Sequence, residues 1–81
     1  SAADNGGRLW DIVVANILAN TLIEIMPNLA AALAPGGYLI LSGLLTEQEA
    51  KVAAAAKAYQ LHPVDQRVEG DWVAVMVHPE A

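Results

Sequence analysis

The 81-residue sequence predicts an α/β fold, with the order strand, helix, strand, helix closed by an antiparallel pair of strands. Three observations predict it. Two short and continuous apolar runs, Ile12 to Ala15 and Tyr38 to Leu45, read as strands of a parallel sheet buried beneath helices, because a strand wetted on one face alternates instead. The segments after each of them carry helical spacing. Two last strand-like runs are separated only by Glu69, Gly70 and Asp71, a connection so short that it makes a hairpin.

Taken in order, residues 1–8 read as a loop or linker, since Asp4, Asn5, Gly6 and Gly7 are turn formers without periodicity. The first strand runs from Leu9 or Asp11 to Ala15, is expected to be buried on both faces, and ends at a polar residue, Asn16. In open α/β sheets ligands bind beyond the carboxyl ends of the strands, which makes Asn16 the first candidate for chemistry. From Thr21 to Leu33, the residues Leu22, Ile25, Met26, Leu29 and Leu33 lie on one helical face. Pro27 interrupts that face, so a kink is expected, or a helix that begins only near Pro27. Asn20 is the candidate N-cap, and Pro35, Gly36 and Gly37 are expected to stop the helix.

The second strand, Tyr38 to Leu45, places Ser42 and Gly43 near its carboxyl end, level with Asn16 if the two strands are parallel neighbours. A glycine there either relieves crowding between backbones or admits a ligand. Thr46 and Glu49 have the spacing of a capping box, and the helix they open is expected to reach about Tyr59, with Val52, Ala56 and Tyr59 inward and Lys51 and Lys57 in solvent. Leu61 to Val68 is a strand of mixed polarity that Pro63 assigns to a sheet edge. Trp72 to His78 is the last strand.

Composition narrows the function classes. Four basic against nine acidic residues give a net charge of -5, with no Lys/Arg cluster to neutralise phosphates, so direct nucleic-acid binding is not expected. There is no cysteine, and His62 and His78 have no nearby partner ligand in sequence, so no metal site is expected. No apolar run approaches the ~18 to 20 residues of a membrane span. A soluble, cytoplasmic protein is the default expectation. The start at Ser1 and the polar, glycine-containing lead read as an excised segment.

The order of elements is similar to the second half of the Rossmann-like sheet of class I S-adenosylmethionine-dependent methyltransferases. Within it, DIVVANILAN at 11–20 and LIEIMPNLAAALAPGGYLILSGLL at 22–45 closely resemble the ribosomal protein L11 methyltransferase (PrmA) family, and the likeness runs from about Leu9 to Val77. Asn16 to Ala19 matches the family motif without departure, whereas Thr21 stands where many members have proline. The resemblance implies methyl transfer from S-adenosylmethionine to the N-terminal amine and lysine side chains of a ribosomal protein. It implies that Asn16 is catalytic and lies beside the cofactor, and that Ile17 and Leu18 shape the substrate site. Residues 9–81 would then be the C-terminal half of a catalytic domain whose first three strands, with the glycine-rich cofactor loop, precede Ser1. That missing half is an expected partner, and the chain alone is expected to be inactive.

An asparagine suits amine methylation. The amine must arrive neutral with its lone pair aimed at the methyl carbon, at about 3 to 3.5 Å. A side-chain carbonyl accepts an amine N–H and stabilises the positive charge that develops, without the full charge that would hold the amine protonated. The plain alternative is that Asn16 only caps the segment that follows. Two further readings stand beside the first: another class I methyltransferase acting on a small amine or RNA, and a non-catalytic module that self-associates through an exposed first-strand edge.

Overall fold

Residues 8–79 are described by the structure, a computed structural model, which has four strands and two helices. Strand β1 (Trp10–Asn16) leads into helix α1 (Ala19–Ala32), strand β2 (Leu33–Leu45), a single 3-10 turn (Thr46–Gln48), helix α2 (Glu49–Lys57) and the hairpin β3 (Leu61–Glu69) and β4 (Trp72–Pro79). The sheet order is β1-β2-β4-β3. β1 and β2 are parallel, with Ile12 opposite Tyr38, Val14 opposite Ile40 and Asn16 opposite Ser42. β4 is antiparallel to both of its neighbours. The sheet therefore has the predicted mixed character, with the Pro63 strand at one edge. The loop expected over residues 1–8 lies, apart from Arg8, outside the described residues.

One core holds the molecule together. Leu22, Met26 and Leu29 of α1 and Val52 and Ala56 of α2 pack with Ala15, Leu39, Leu41, Leu44, Val73, Val75 and Val77 of the sheet. Both helices thus lie on the same face. This corrects the expectation for the first strand, whose inward residues Val13 and Ala15 pack against the core while Ile12 and Val14 are 60% and 64% exposed on the other face. Residues paired across strands share a face. The uncovered side of the parallel pair therefore carries Ile12, Val14 and Asn16 beside Tyr38, Ile40 and Ser42.

Several local expectations are also corrected. α1 begins at Ala19 and runs through Pro27 without a break. Proline removes the hydrogen bond to the Ile23 carbonyl, but Pro27 lies on the exposed side, and Leu22, Met26 and Leu29 anchor both flanking turns in the core. The N-cap is Leu18, whose carbonyl accepts from Leu22 N–H at 2.9 Å; Asn20 sits inside the first turn, where its Oδ1 accepts from Lys51 Nζ at 2.9 Å and ties α1 to α2. α1 ends because Leu33 turns extended and pairs with Trp10, before Pro35, Gly36 and Gly37 are reached, and those residues belong to β2. The predicted capping box moves back by one residue: Gln48 Oε1 accepts from Leu45 N–H at 3.0 Å, because the chain makes a 3-10 turn before α2 starts. α2 stops at Lys57, and Tyr59, expected inward, is exposed.

The hairpin closes through Gly70 and Asp71 alone, since Glu69 already pairs with Trp72. Gly70 adopts φ +59°, the conformation that a two-residue hairpin turn requires of its first position. The same turn is fixed to the rest of the fold by Thr46 N–H donating to the Asp71 carbonyl at 2.9 Å. That bond holds the hairpin tip beside the carboxyl end of β2.

Candidate active site at the carboxyl end of the parallel pair

Asn16 is the last residue of β1, and the chain leaves the sheet immediately after it through Ile17 and Leu18 into α1. The β-branched run before it has one good solution, a strand, and the strand ends where a polar side chain can face water. Asn16 is exposed, and among the described residues its carboxamide has no hydrogen-bond partner. It does not cap α1, because Leu18 fills that position without a side-chain hydrogen bond. The alternative reading of Asn16 as a cap is thereby removed. Ile17 and Leu18 are 38% and 78% exposed and border the same strand end.

The register brings Ser42 opposite Asn16, as the parallel pairing predicts. Gly43 then takes φ +74° at the point where the pairing of β2 with β4 shifts between Leu41 and Leu44. A Cβ built on Gly43 would collide with Asn16 Oδ1. The carboxamide therefore lies across the end of β2 in the space a side chain would otherwise take. Sequence left this glycine open between crowding and ligand approach, and the structure assigns the space to Asn16.

Beyond Gly43 the surface dips into an open cavity of about 220 Å³ lined by Gly43, Arg67, Glu69, Trp72, Val73 and Ala74. Trp72, read from sequence only as the start of a strand, is 55% exposed here. The signal that could have found it is its place directly after the Gly70–Asp71 turn, which returns it to the sheet end that carries Asn16. His62 and His78 are at the opposite end of the sheet, paired across β3 and β4 with ring centroids 6.1 Å apart. His78 Nδ1 lies 3.0 Å from the Gly37 carbonyl and its ring stacks on Tyr38. Among the described residues no three His, Cys, Asp or Glu side chains gather to hold a metal, and no helix is long and apolar enough to cross a membrane.

Two parallel strands, each followed by a helix, and a closing antiparallel hairpin match part of the Rossmann-like sheet of a methyltransferase. Solved structures agree. A ribosomal protein L11 methylase from Lactobacillus delbrueckii subsp. bulgaricus superimposes with a TM-score of 0.85 at 25% identity, over 96% of this chain and 41% of that one. The M1.HpyAVI–SAM complex superimposes with a TM-score of 0.78 at 12% identity, over 95% of this chain and 48% of that one, a likeness of fold alone.

The particular family follows from the sequence match. The profile of the ribosomal protein L11 methyltransferase (PrmA) family matches residues 2–80, and the chain belongs to that family. Proteins named ribosomal protein L11 methyltransferase from Chloroflexus aurantiacus and Herpetosiphon aurantiacus are 45% and 48% identical to it over 67 and 65 residues. One from Geotalea uraniireducens is 46% identical over 69 residues. These matches take in 80 to 85% of this chain, which spans about a fifth of the length of those relatives.

Proposed function

We propose that this chain is the part of an S-adenosylmethionine-dependent protein methyltransferase that presents Asn16 to the reacting amine, and that the whole enzyme methylates lysine side chains and the N-terminal amine of ribosomal protein L11. The observation that carries the reading is the placement of Asn16: unpartnered among the described residues, exposed, at the carboxyl end of β1, and free of a capping duty. A ribosomal substrate puts the activity in the cytoplasm.

The residues present fit one wall of a cofactor site. Asn16 is a polar group at the strand end, and the exposed Ile17 and Leu18 give the wall its apolar rim. Among the described residues no glycine-rich turn opens a helix, since Gly36 and Gly37 lie within β2, so the phosphate-free but polar ends of the cofactor would be held by other segments of the enzyme. S-adenosylmethionine, when bound, supplies a methyl group on a sulfonium centre. What this chain supplies is orientation. An amine N–H donated to Asn16 Oδ1 turns the nitrogen lone pair away from the carboxamide, and the neutral amide takes up part of the charge that grows on nitrogen. A carboxylate in its place would favour the ammonium form, which has no lone pair to offer. The cavity beside Gly43, with Trp72, Val73 and Ala74 in its lining, suits the aliphatic stem of a lysine side chain.

The test is Asn16→Ala in the whole enzyme. Methyl-transfer rate is expected to fall more than tenfold in single-turnover kinetics while thermal unfolding stays within a few degrees, since the side chain is exposed. An unchanged single-turnover rate overturns the role.

The remaining half of the catalytic domain is the partner we infer for the uncovered face of β1 and β2. In the isolated chain that face and the free edge of β1 favour self-association. β3, by contrast, carries Pro63, Asp65, Arg67 and a register shift between Pro63 and Asp65, features that discourage edge pairing.

A further inference from the structure

Three glycines among the described residues adopt a positive φ: Gly36, Gly43 and Gly70. Around Gly36 and Gly70 a Cβ would meet nothing within 4 Å, so backbone conformation alone accounts for them. Gly43 differs. Its φ of +74° is joined by a collision between an added Cβ and the side chain of Asn16, which comes from a neighbouring strand.

We propose that Gly43 is a positioning residue for methyl transfer, acting through the Asn16 carboxamide; the inference rests on the role given to Asn16 above. The physical step is short. Asn16 has rotatable side-chain bonds, and a strand end in water offers it several orientations. The register sets its backbone opposite Ser42, and the next residue of β2 leaves a gap into which the carboxamide settles. The shift in β2–β4 pairing between Leu41 and Leu44 places that gap, as bulges commonly re-aim groups near functional sites. A methyl group at position 43 would drive the amide oxygen out by about 1 Å or more, and a misplacement of that size at a positioned group costs up to about a hundredfold in rate.

The experiment is a double-mutant cycle in the whole enzyme, read as single-turnover methyl transfer and as thermal unfolding. Gly43→Ala is expected to slow transfer by about 10- to 100-fold. In an Asn16→Ala background, where no carboxamide remains to displace, the same substitution is expected to slow it less than twofold further. Any cost of forcing φ positive on alanine appears in the melting temperature of both backgrounds and so separates from the rate. Gly43→Asn is the second variant, because asparagine accepts a positive φ and preserves the fold if alanine does not, yet it still carries a Cβ. It is expected to be as slow as Gly43→Ala. Wild-type rates in the folded Gly43 variants overturn the inference, as do rate losses that multiply fully with Asn16→Ala. A wild-type rate in Asn16→Ala alone fails at the earlier step and refutes the role of Asn16 itself.

Discussion

Replacing Ile12 and Val14 together by lysine is expected to make the isolated chain more monomeric and the whole enzyme less stable. Both residues lie on the face of β1 that neither helix covers, at 60% and 64% exposed, and both side chains point away from Val13 and Ala15 in the core. Burying a whole valine or isoleucine side chain contributes about 1.5 to 3 kcal/mol, so covering the exposed part of each contributes about 1 to 2 kcal/mol. The pair thus amounts to about 2 to 4 kcal/mol, or about a 30- to 1000-fold change in association constant. Lysine on the edge also opposes strand addition directly, since a second copy would have to bury like charges against it. Sedimentation velocity across a concentration series reads the first effect: the unsubstituted chain is expected to sediment faster as concentration rises, and the double variant to stay monomeric. In the whole enzyme the same lysines would be pressed beneath the remaining half of the domain, where an unpaired charge costs several kcal/mol, so the melting temperature is expected to fall steeply. A concentration-independent monomer for the unsubstituted chain would refute the edge argument. An unchanged melting temperature in the whole enzyme would refute the claim that this face is covered there.

Two further substitutions test the packing that presents the site. Leu41→Ala, at a fully buried position of β2 between Ala15 and Val75, is expected to cost about 2 to 5 kcal/mol and to lower the urea midpoint by about 1 M or more. Gly37→Ala would set a Cβ 3.0 Å from the carbonyl oxygens of Ala34 and Trp10 and 3.1 Å from that of Asp11, so a loss of about 1 to 3 kcal/mol is expected in the same assay.

Much of the architecture was legible because the apolar runs and turn residues agree with one another. Ile12 to Ala15 and Tyr38 to Leu45 are too apolar and too short for surface helices, and the Gly70–Asp71 turn admits only a hairpin. What misled were signals whose outcome depends on tertiary contacts. Pro27 is a strong local breaker, yet core anchoring by Leu22, Met26 and Leu29 outweighs one lost hydrogen bond on a wet face. Thr46 and Glu49 have capping spacing, but Gln48 reaches Leu45 first because the turn is 3-10. Asn20 has a good capping side chain, and Lys51, remote in sequence, uses it instead.

The site was legible in part for a related reason. Asn16 stands out in sequence as the polar end of an apolar strand, and the structure leaves it exposed beside Ser42. Gly43 stands out as a glycine level with Asn16, but its contact with the carboxamide depends on the parallel register, and Trp72 does not stand out, since its relation to Asn16 passes through the antiparallel register. The expectation that β1 is buried on both faces, which the described residues do not bear out, has a physical reading of its own. Isoleucine and valine at 12 and 14 are poor choices for a surface strand, where threonine or a charge would keep the edge soluble without loss of β propensity. Their chemistry fits a strand with a neighbour and a covering layer, and the relatives, about five times as long as the matched stretch, have chain enough to provide both. With that layer in place Asn16 would lie inside a cleft between two halves of a domain, where excluding water would strengthen the hydrogen bond we propose it makes to the amine.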